Sequence, residues 1–124
     1  MNNRELKFRA WDNLKKEWLK KKVYHLNFHF NEEGIGEFVA KQHPQGLTIQ
    51  QFTGLLDAEG REIYEGDLVK VNLYDPEIGE VIFNHGGFCL QSKSFKGTFL
   101  GIVTGGFLIE VVGNVFETPE LLKP

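Results

Sequence analysis

The sequence contains one cysteine, Cys89, so no disulfide bond can form within the chain. A single cysteine suits a reducing compartment, and we expect the protein in the cytoplasm. The first residues show no basic region followed by an apolar stretch, so no signal peptide is expected. The longest apolar stretch, residues 107–116, is interrupted by Glu110, Gly113 and Asn114 and is too short and too polar to cross a bilayer. These features predict a soluble protein with no membrane segment.

The composition of the chain predicts a single domain built mainly of β-structure. Its 124 residues suit one hydrophobic core, and the sequence has no internal repeat and no low-complexity segment. Phenylalanine supplies 11 of the 16 aromatic residues, and this side chain favours the half-buried surface of a sheet. The 14 glycines fit the many turns that short strands require.

The net charge of −3 is distributed unevenly along the chain. Residues 1–22 contain eight basic and three acidic residues, whereas the rest of the chain is acidic. Basic residues and tryptophans are interleaved in this first part and form a candidate interaction surface: Arg9, Trp11, Lys15, Lys16, Trp18, Lys20, Lys21 and Lys22. Such a surface suits phosphates or an acidic protein. The simpler interpretation is a solvated hairpin, since runs of charge usually face water.

The first half of the chain contains several patterns typical of strands. The predicted strands are 5–11, 18–19, 23–30, 37–41 and 47–52. The pair Asp12 and Asn13 is a turn signal, so the first two strands are predicted to form a hairpin. The apolar residues of 14–22 also follow helical spacing, which leaves a helical turn as the alternative. Thr53 and Gly54 are expected to end the last strand.

The second half of the chain contains a series of strands and several turn signals, one of which, over residues 85–87, predicts a hairpin turn. A hairpin over 55–64 needs a left-handed residue in its turn, which Gly60 supplies. A second turn over 64–67 has Gly66 for a positive φ and Asp67 for bonds to the nearby backbone. The predicted strands of this half are 68–74, 79–84, 88–92, 98–103 and 107–116.

Three local predictions concern the end of the chain. Residues 93–106 are rich in glycine and are predicted to form a loop that holds the short strand over 98–103. The strand over 107–116 is apolar on both faces, which is typical of a central strand covered on both sides. Thr118 is a typical helix cap and Pro119 a typical first helical residue, so one helical turn is expected in the tail.

Several sequence blocks, from both ends of the chain, resemble the YopX-like proteins of phages and prophages. The blocks are 7–12 (KFRAWD), 51–55 (QFTGL), 60–69 (GREIYEGDLV), 79–83 (GEVIF) and 112–122 (VGNVFETPELL). The stretch from Gln51 to Val69 is the most specific part of the resemblance. Residues 20–46 and 91–107 match nothing in this pattern and are interpreted as variable segments.

The resemblance implies a phage- or prophage-encoded protein in the cytoplasm of a bacterial host. It implies one YopX-like domain over residues 1–124 with a mainly β fold. An N-terminal lobe of β-hairpin and sheet, about residues 1–54, is expected to pack with a C-terminal lobe, about residues 55–124, that is similar to an SH3-type small barrel. The family has no established activity, so the resemblance provides no catalytic residue.

The residues that commonly carry chemistry form no recognisable site in the sequence. In a strand, His25 and His29 would lie about 13 Å apart, too far to share one metal ion, and a zinc site needs three or four ligands. Cys89 and His85 flank a glycine turn, but no third group that would orient a catalytic pair is evident. The glycines after residue 96 match no phosphate-binding motif. We therefore expect no metal site, no cofactor, no small-molecule substrate and no enzymatic activity.

Two functional hypotheses are favoured, and an enzyme with an unfamiliar site is the third alternative. The first is a non-enzymatic accessory protein that acts through a protein partner or as a homo-oligomer. The second is a small nucleic-acid-binding module that uses the basic residues of 1–22, because bases and aromatic residues together form stacking surfaces. The acidic character of the whole chain, with a pI of about 5.8, argues against the second hypothesis. The carboxylates of Asp57 and Asp67 are interpreted as turn residues in both cases.

Overall fold

The computed structural model describes residues 6–19 and 46–123, and these residues form a mainly β fold, as predicted. The strands of the described part are β1 (Phe8–Asp12), β2 (Glu17–Trp18), β3 (Leu47–Leu56), β4 (Glu62–Tyr64), β5 (Asp67–Val71), β6 (Glu77–Asn84), β7 (Gly87–Gln91), β8 (Lys96–Phe99) and β9 (Ile109–Asn114). The helices of the described part are the α-helix α1 (Leu100–Gly106) and a one-turn 3₁₀ helix (Pro119–Leu122).

The chain divides into two compact units, with the division after Gln51. β1, β2 and the first half of β3 belong to the first unit, and the later elements belong to the second. The single domain with lobes of residues 1–54 and 55–124 stays a prediction. The strands predicted over 23–30 and 37–41 lie outside the described residues.

In the first unit, β1 pairs antiparallel with both β2 and the first half of β3. The turn after β1 is held by the carboxylate of Asp12, which accepts hydrogen bonds from the backbone N–H groups of Leu14 (2.9 Å) and Lys15 (3.0 Å). Lys16 then takes a left-handed conformation with a φ of 57°. The predicted hairpin is confirmed, and the alternative helical turn is not formed over residues 13–19.

Strand β3 is longer than the sequence predicts. Thr53 and Gly54 were expected to end it, but the strand continues to Leu56, so that prediction is wrong. Gly54 has a φ of 84°, and the register between β3 and β4 shifts between Phe52 and Leu56. A bulge of this kind lets a glycine sit within a strand without ending it.

The second unit contains a five-stranded sheet in the order β8-β7-β6-β5-β9, in which all neighbours are antiparallel. β6 and β7 are joined by His85 and Gly86, whose φ values of 50° and 80° are typical of a type I′ hairpin turn. The core of this unit consists of fully or almost fully buried apolar residues, namely Ile63, Val69, Val71, Val81, Leu90, Leu100, Val103 and Ile109.

The glycine-rich stretch over 93–106 is not a loop with a strand over 98–103. It forms β8 and then helix α1, so the predicted strand is wrong in its second half. The helix places Leu100 and Val103, three residues apart, in the core of the second unit. The burial of these two side chains stabilises the helix although its glycines disfavour helical structure. The local sequence pattern does not predict this burial.

Among the described residues, β9 is an outer strand of the sheet and not the central strand that the sequence predicts. Leu108, just before the strand, and Val112 within it are solvent-exposed, whereas Ile109 is buried. Strand β5, which lies between β6 and β9, is covered on both faces, since Leu68 and Val69 are both fully buried although they point to opposite faces.

The tail forms the expected single turn of helix, here a 3₁₀ helix. Thr118 stands at its N-cap position, but its side chain makes no capping bond. Its hydroxyl instead accepts a hydrogen bond from the backbone N–H of Asn114 (3.0 Å) and donates one to the Asn114 carbonyl (3.2 Å). Within the described ranges, no helix has the length and apolar character needed to span a membrane.

Candidate interaction surface

The basic and aromatic residues predicted to form an interaction surface lie on the β1–β2 hairpin or beyond the described residues. Lys20, Lys21 and Lys22 are outside the described part of the chain. The others separate into two groups. Arg9, Trp11 and Trp18 lie on the strands, whereas Lys15 and Lys16 lie in the turn.

Arg9 is engaged within the first unit. Its guanidinium lies over the ring of Trp18, with 4.3 Å between Cζ and the ring centroid. Its Nε and Nη2 atoms donate hydrogen bonds of 3.0 and 2.8 Å to Oε1 of Gln50, a buried side chain on β3. Arg9 thereby links β2 to β3 across β1, and its guanidinium group is engaged in contacts within the first unit.

Trp11 is an interior residue of the first unit, with 5% of its surface exposed. Its ring meets that of Trp18 edge to face, with 5.0 Å between centroids. A buried ring cannot offer a face to a stacked base, and Trp18 already has the Arg9 guanidinium over its ring. The tryptophans therefore stabilise the hairpin, and of the members that the structure describes, the two turn lysines are the exposed ones.

Replacing Arg9 with lysine is expected to lower the free energy of unfolding of the first unit by about 1 kcal/mol. Lysine keeps the charge but cannot donate two hydrogen bonds to Gln50 while covering Trp18. Both tryptophans of the chain belong to this unit, so urea unfolding followed by tryptophan fluorescence measures it. Lys15→Ala, in the exposed turn, is the control and should change the value by less than about 0.5 kcal/mol. Equal midpoints for the two variants would contradict the role of Arg9.

The predicted turn residues Gly60, Gly66 and Asp67 lie in the second unit. Gly60 and Gly66 have φ values of 82° and 84°, in the left-handed region that favours glycine. Asp67 is buried, and its Oδ2 atom accepts a hydrogen bond of 2.8 Å from the backbone N–H of Tyr64. The geometry is that of a turn in which the aspartate bonds to the backbone three residues earlier.

Asp57 organises the β3–β4 turn more extensively than the sequence suggests. Its Oδ1 atom accepts bonds from the backbone N–H groups of Glu59 (2.9 Å) and Arg61 (2.8 Å), and Oδ2 accepts one from Val111 on β9 (2.9 Å). Burial raises the pKa of Asp57, but these bonds and the Arg61 guanidinium outweigh it and hold the pKa below its usual value. The resulting stabilisation is present at neutral pH and is lost as the pH falls through the lowered pKa.

An exposed apolar stretch in residues 99–108, here called the apolar segment, was not predicted as a site. Its exposed side chains are Phe99, Ile102, Phe107 and Leu108, and about two thirds of the surface of Ile102 and of Leu108 is exposed, 66% in each. The segment comprises helix α1 and the residues on either side of it. Its fixed position follows from the buried Leu100 and Val103. The sequence does not reveal this surface, because its glycines predict a loop over 93–106 and its apolar residues predict a central strand over 107–116.

A shallow depression of about 400 Å³ lies beside the loop between β5 and β6. A hydroxyl hydrogen bond from Ser94 and further bonds from Ser92 and the Ser94 backbone lower the pKa of Glu77 at its wall, against the raising effect of burial. The Glu77 carboxylate therefore holds the loop after β7. The lining residues are Leu73, Tyr74, Asp75, Pro76, Glu77, Lys93 and Ser94.

The cysteine and the histidine that flank the glycine turn differ in their exposure to solvent. Cys89 is buried, with its Sγ atom 3.6 Å from the carbonyl oxygen of Asn84, whereas His85 is exposed in the hairpin turn. In the residues that the structure describes, no three histidine, cysteine or acidic side chains are grouped so as to hold a metal ion.

Comparisons with known proteins give these features a family context. The family model described as YopX protein matches residues 7–123 of the chain. Among solved structures, the crystal structure of protein EF1440 from Enterococcus faecalis is similar over 95% of this chain and 98% of that chain, with 26% sequence identity and a TM-score of 0.62. No curated protein shows a significant match.

Proposed function

The chain belongs to the YopX family, and we propose that it is a non-enzymatic phage or prophage accessory protein that acts by contact between protein chains, through self-association. The observation that carries this proposal is the apolar segment, which presents four large apolar side chains within ten residues. Clusters of exposed apolar side chains mark protein–protein contact surfaces. Two of the four are phenylalanines, a residue type enriched in the buried centre of interfaces.

The way in which the apolar segment is held also supports this function. Leu100 and Val103 fix helix α1 on the core, so the exposed Ile102 is presented from an ordered element. Phe107 packs edge to face on Phe95, with 5.5 Å between ring centroids, and remains partly exposed. A surface that is ordered before binding loses less conformational entropy on association.

The finer structural and cellular predictions form part of the same proposal. The strand order β8-β7-β6-β5-β9, in which the last strand returns to pair with β5, supports an SH3-type small barrel in the second unit. The resemblance to phage and prophage proteins supports the viral origin. The lone cysteine, Cys89, is buried and free, which suits the reducing cytoplasm of a bacterial host.

The test is the molar mass of the purified chain, measured by light scattering during size-exclusion chromatography over a hundredfold range of concentration. We expect a concentration-dependent dimer for the unaltered chain and a monomer for Ile102→Asp, because a charge cannot be buried in an apolar contact. Leu122→Asp is the matched control. Leu122, like Ile102, is an exposed branched aliphatic residue of the second unit, but it lies outside the apolar segment. It should still form the dimer.

A chain that stays monomeric at every concentration would overturn self-association as its mode of action. A dimer that Ile102→Asp leaves intact would overturn the apolar segment as the contact. Retention on DNA at low salt, lost when Lys20, Lys21 and Lys22 become glutamate, would favour the nucleic-acid hypothesis instead. That hypothesis has the exposed lysines of the β1–β2 turn as its structural support, whereas the burial of Trp11 argues against it.

A further inference from the structure

The outer edge of β9 is covered by the β3–β4 turn of the same unit. β9 ends the five-stranded sheet, with β5 as its strand neighbour in the described part. The backbone N–H of Ala58 donates a hydrogen bond to the carbonyl of Ile109 (2.9 Å), and the N–H of Val111 donates one to Oδ2 of Asp57 (2.9 Å). The turn therefore supplies one donor and one acceptor to β9, as the edge of a further strand would.

The acceptor in this contact is held firmly in place. The Asp57 side chain has no solvent exposure, and its Oδ1 atom is fixed by the backbone N–H groups of Glu59 and Arg61. The Nε atom of Arg61 lies 3.2 Å from Oδ2, and its Nη2 atom lies 3.5 Å from Oε2 of Glu59. The contact of Asp57 and Ala58 with Ile109 and Val111 is here called the edge clasp.

We propose that the edge clasp is an autoinhibitory contact, which keeps β9 from pairing with β9 of a second copy of the chain. Open strand edges offer unpaired N–H and carbonyl groups and readily add another strand. The same groups that the clasp occupies in Ile109 and Val111 would pair with an antiparallel β9 from another molecule. Val112 on β9, which is not part of the apolar segment, is an exposed apolar residue that such pairing would cover. This inference concerns a different surface from the apolar segment.

The test compares molar masses by light scattering in a background that carries Ile102→Asp, so that association through the apolar segment does not contribute. In this background, Asp57→Ala removes the acceptor for Val111. We expect its mass to double as concentration rises, while the background protein stays monomeric. Glu59→Ala is the matched control, because it removes a carboxylate from the same turn without touching β9, and it should remain a monomer.

Two further variants decide the outcome if Asp57→Ala destabilises the fold. Ala58→Pro removes the donor to Ile109 but keeps the Asp57 carboxylate, and proline is favoured at the second position of such a turn. It should also associate. Adding Val112→Lys, an edge lysine, to either associating variant should restore the monomer. The proposal would be overturned if a clasp variant is folded, as judged by circular dichroism, and has the same molar mass as the Glu59→Ala control. It would also be overturned if Val112→Lys leaves the association of a clasp variant unchanged.

Discussion

Replacing Asp67 with alanine is expected to lower the free energy of unfolding of the second unit by about 3 kcal/mol. Asp67 accepts a hydrogen bond of 2.8 Å from the backbone N–H of Tyr64. Both residues are buried, with 2% of the surface of Asp67 and 3% of the surface of Tyr64 exposed. Without the carboxylate, that N–H stays buried without its acceptor, which costs more than the hydrogen bond itself contributed. The turn also positions β5, the strand that is covered on both faces.

The measurement for Asp67 is urea unfolding followed by far-ultraviolet circular dichroism, because both tryptophans belong to the first unit. Asp67→Asn keeps an oxygen acceptor without the charge and should lose about half as much stability. Asp75→Ala makes the same chemical change at an exposed loop position and should stay within about 0.5 kcal/mol of the unaltered chain. If Asp67→Ala unfolds at the same urea concentration as Asp75→Ala, the turn does not depend on this carboxylate.

The turn at Asp67 was predictable because its signal is local. A glycine followed by an aspartate specifies a positive φ and a nearby acceptor, and both lie within four residues of the bond that they form. The β1–β2 and β6–β7 hairpins were predictable for the same reason, since Asp12 and the His85–Gly86 pair act within their own turns. The mainly β fold follows from many such local signals in agreement.

The features that the sequence did not predict depend on contacts between distant residues. Helix α1 forms where glycines disfavour it, because Leu100 and Val103 are buried against strands that precede it in the chain. The hydrogen bond between Val111 and Asp57 joins residues 54 positions apart, so the local sequence around Asp57 does not predict its contact with β9. The edge position of β9 was also hidden, since apolar residues on both faces of a strand do not show which strands flank it.

The predicted interaction surface was limited by the same difficulty. Sequence spacing brought Arg9, Trp11 and Trp18 together correctly, but it did not show that they contact one another and Gln50 instead of solvent. An arginine beside two tryptophans fits a binding surface and a packed hairpin equally well in sequence. The exposed apolar segment lies mostly in the stretch over 91–107, which the sequence pattern predicts to be variable, although the family model matches this stretch as well.

Gly79→Ala is the second substitution with a large expected effect, a loss of about 3 kcal/mol in the free energy of unfolding. A Cβ atom on Gly79 of β6 would lie 2.7 Å from Cδ1 of Leu90, 2.9 Å from the backbone oxygen of Gln91 and 2.9 Å from Cβ of Ser92. Leu90 is fully buried in the core, and the carbonyl of Gln91 belongs to the neighbouring strand β7. Neither atom can move away without disturbing the core or the pairing of β6 with β7.

The same substitution in helix α1 should have the opposite sign. Gly105 is exposed, and a Cβ atom there would meet nothing within 4 Å, so Gly105→Ala is expected to stabilise the helix by about 0.5–1 kcal/mol. Circular dichroism in urea measures both variants on the same unit. Since each change adds one methyl group, a difference in sign can only come from the surroundings of the two glycines. Equal effects at Gly79 and Gly105 would mean that the close approach of β6 to β7 at Gly79 does not limit side-chain size.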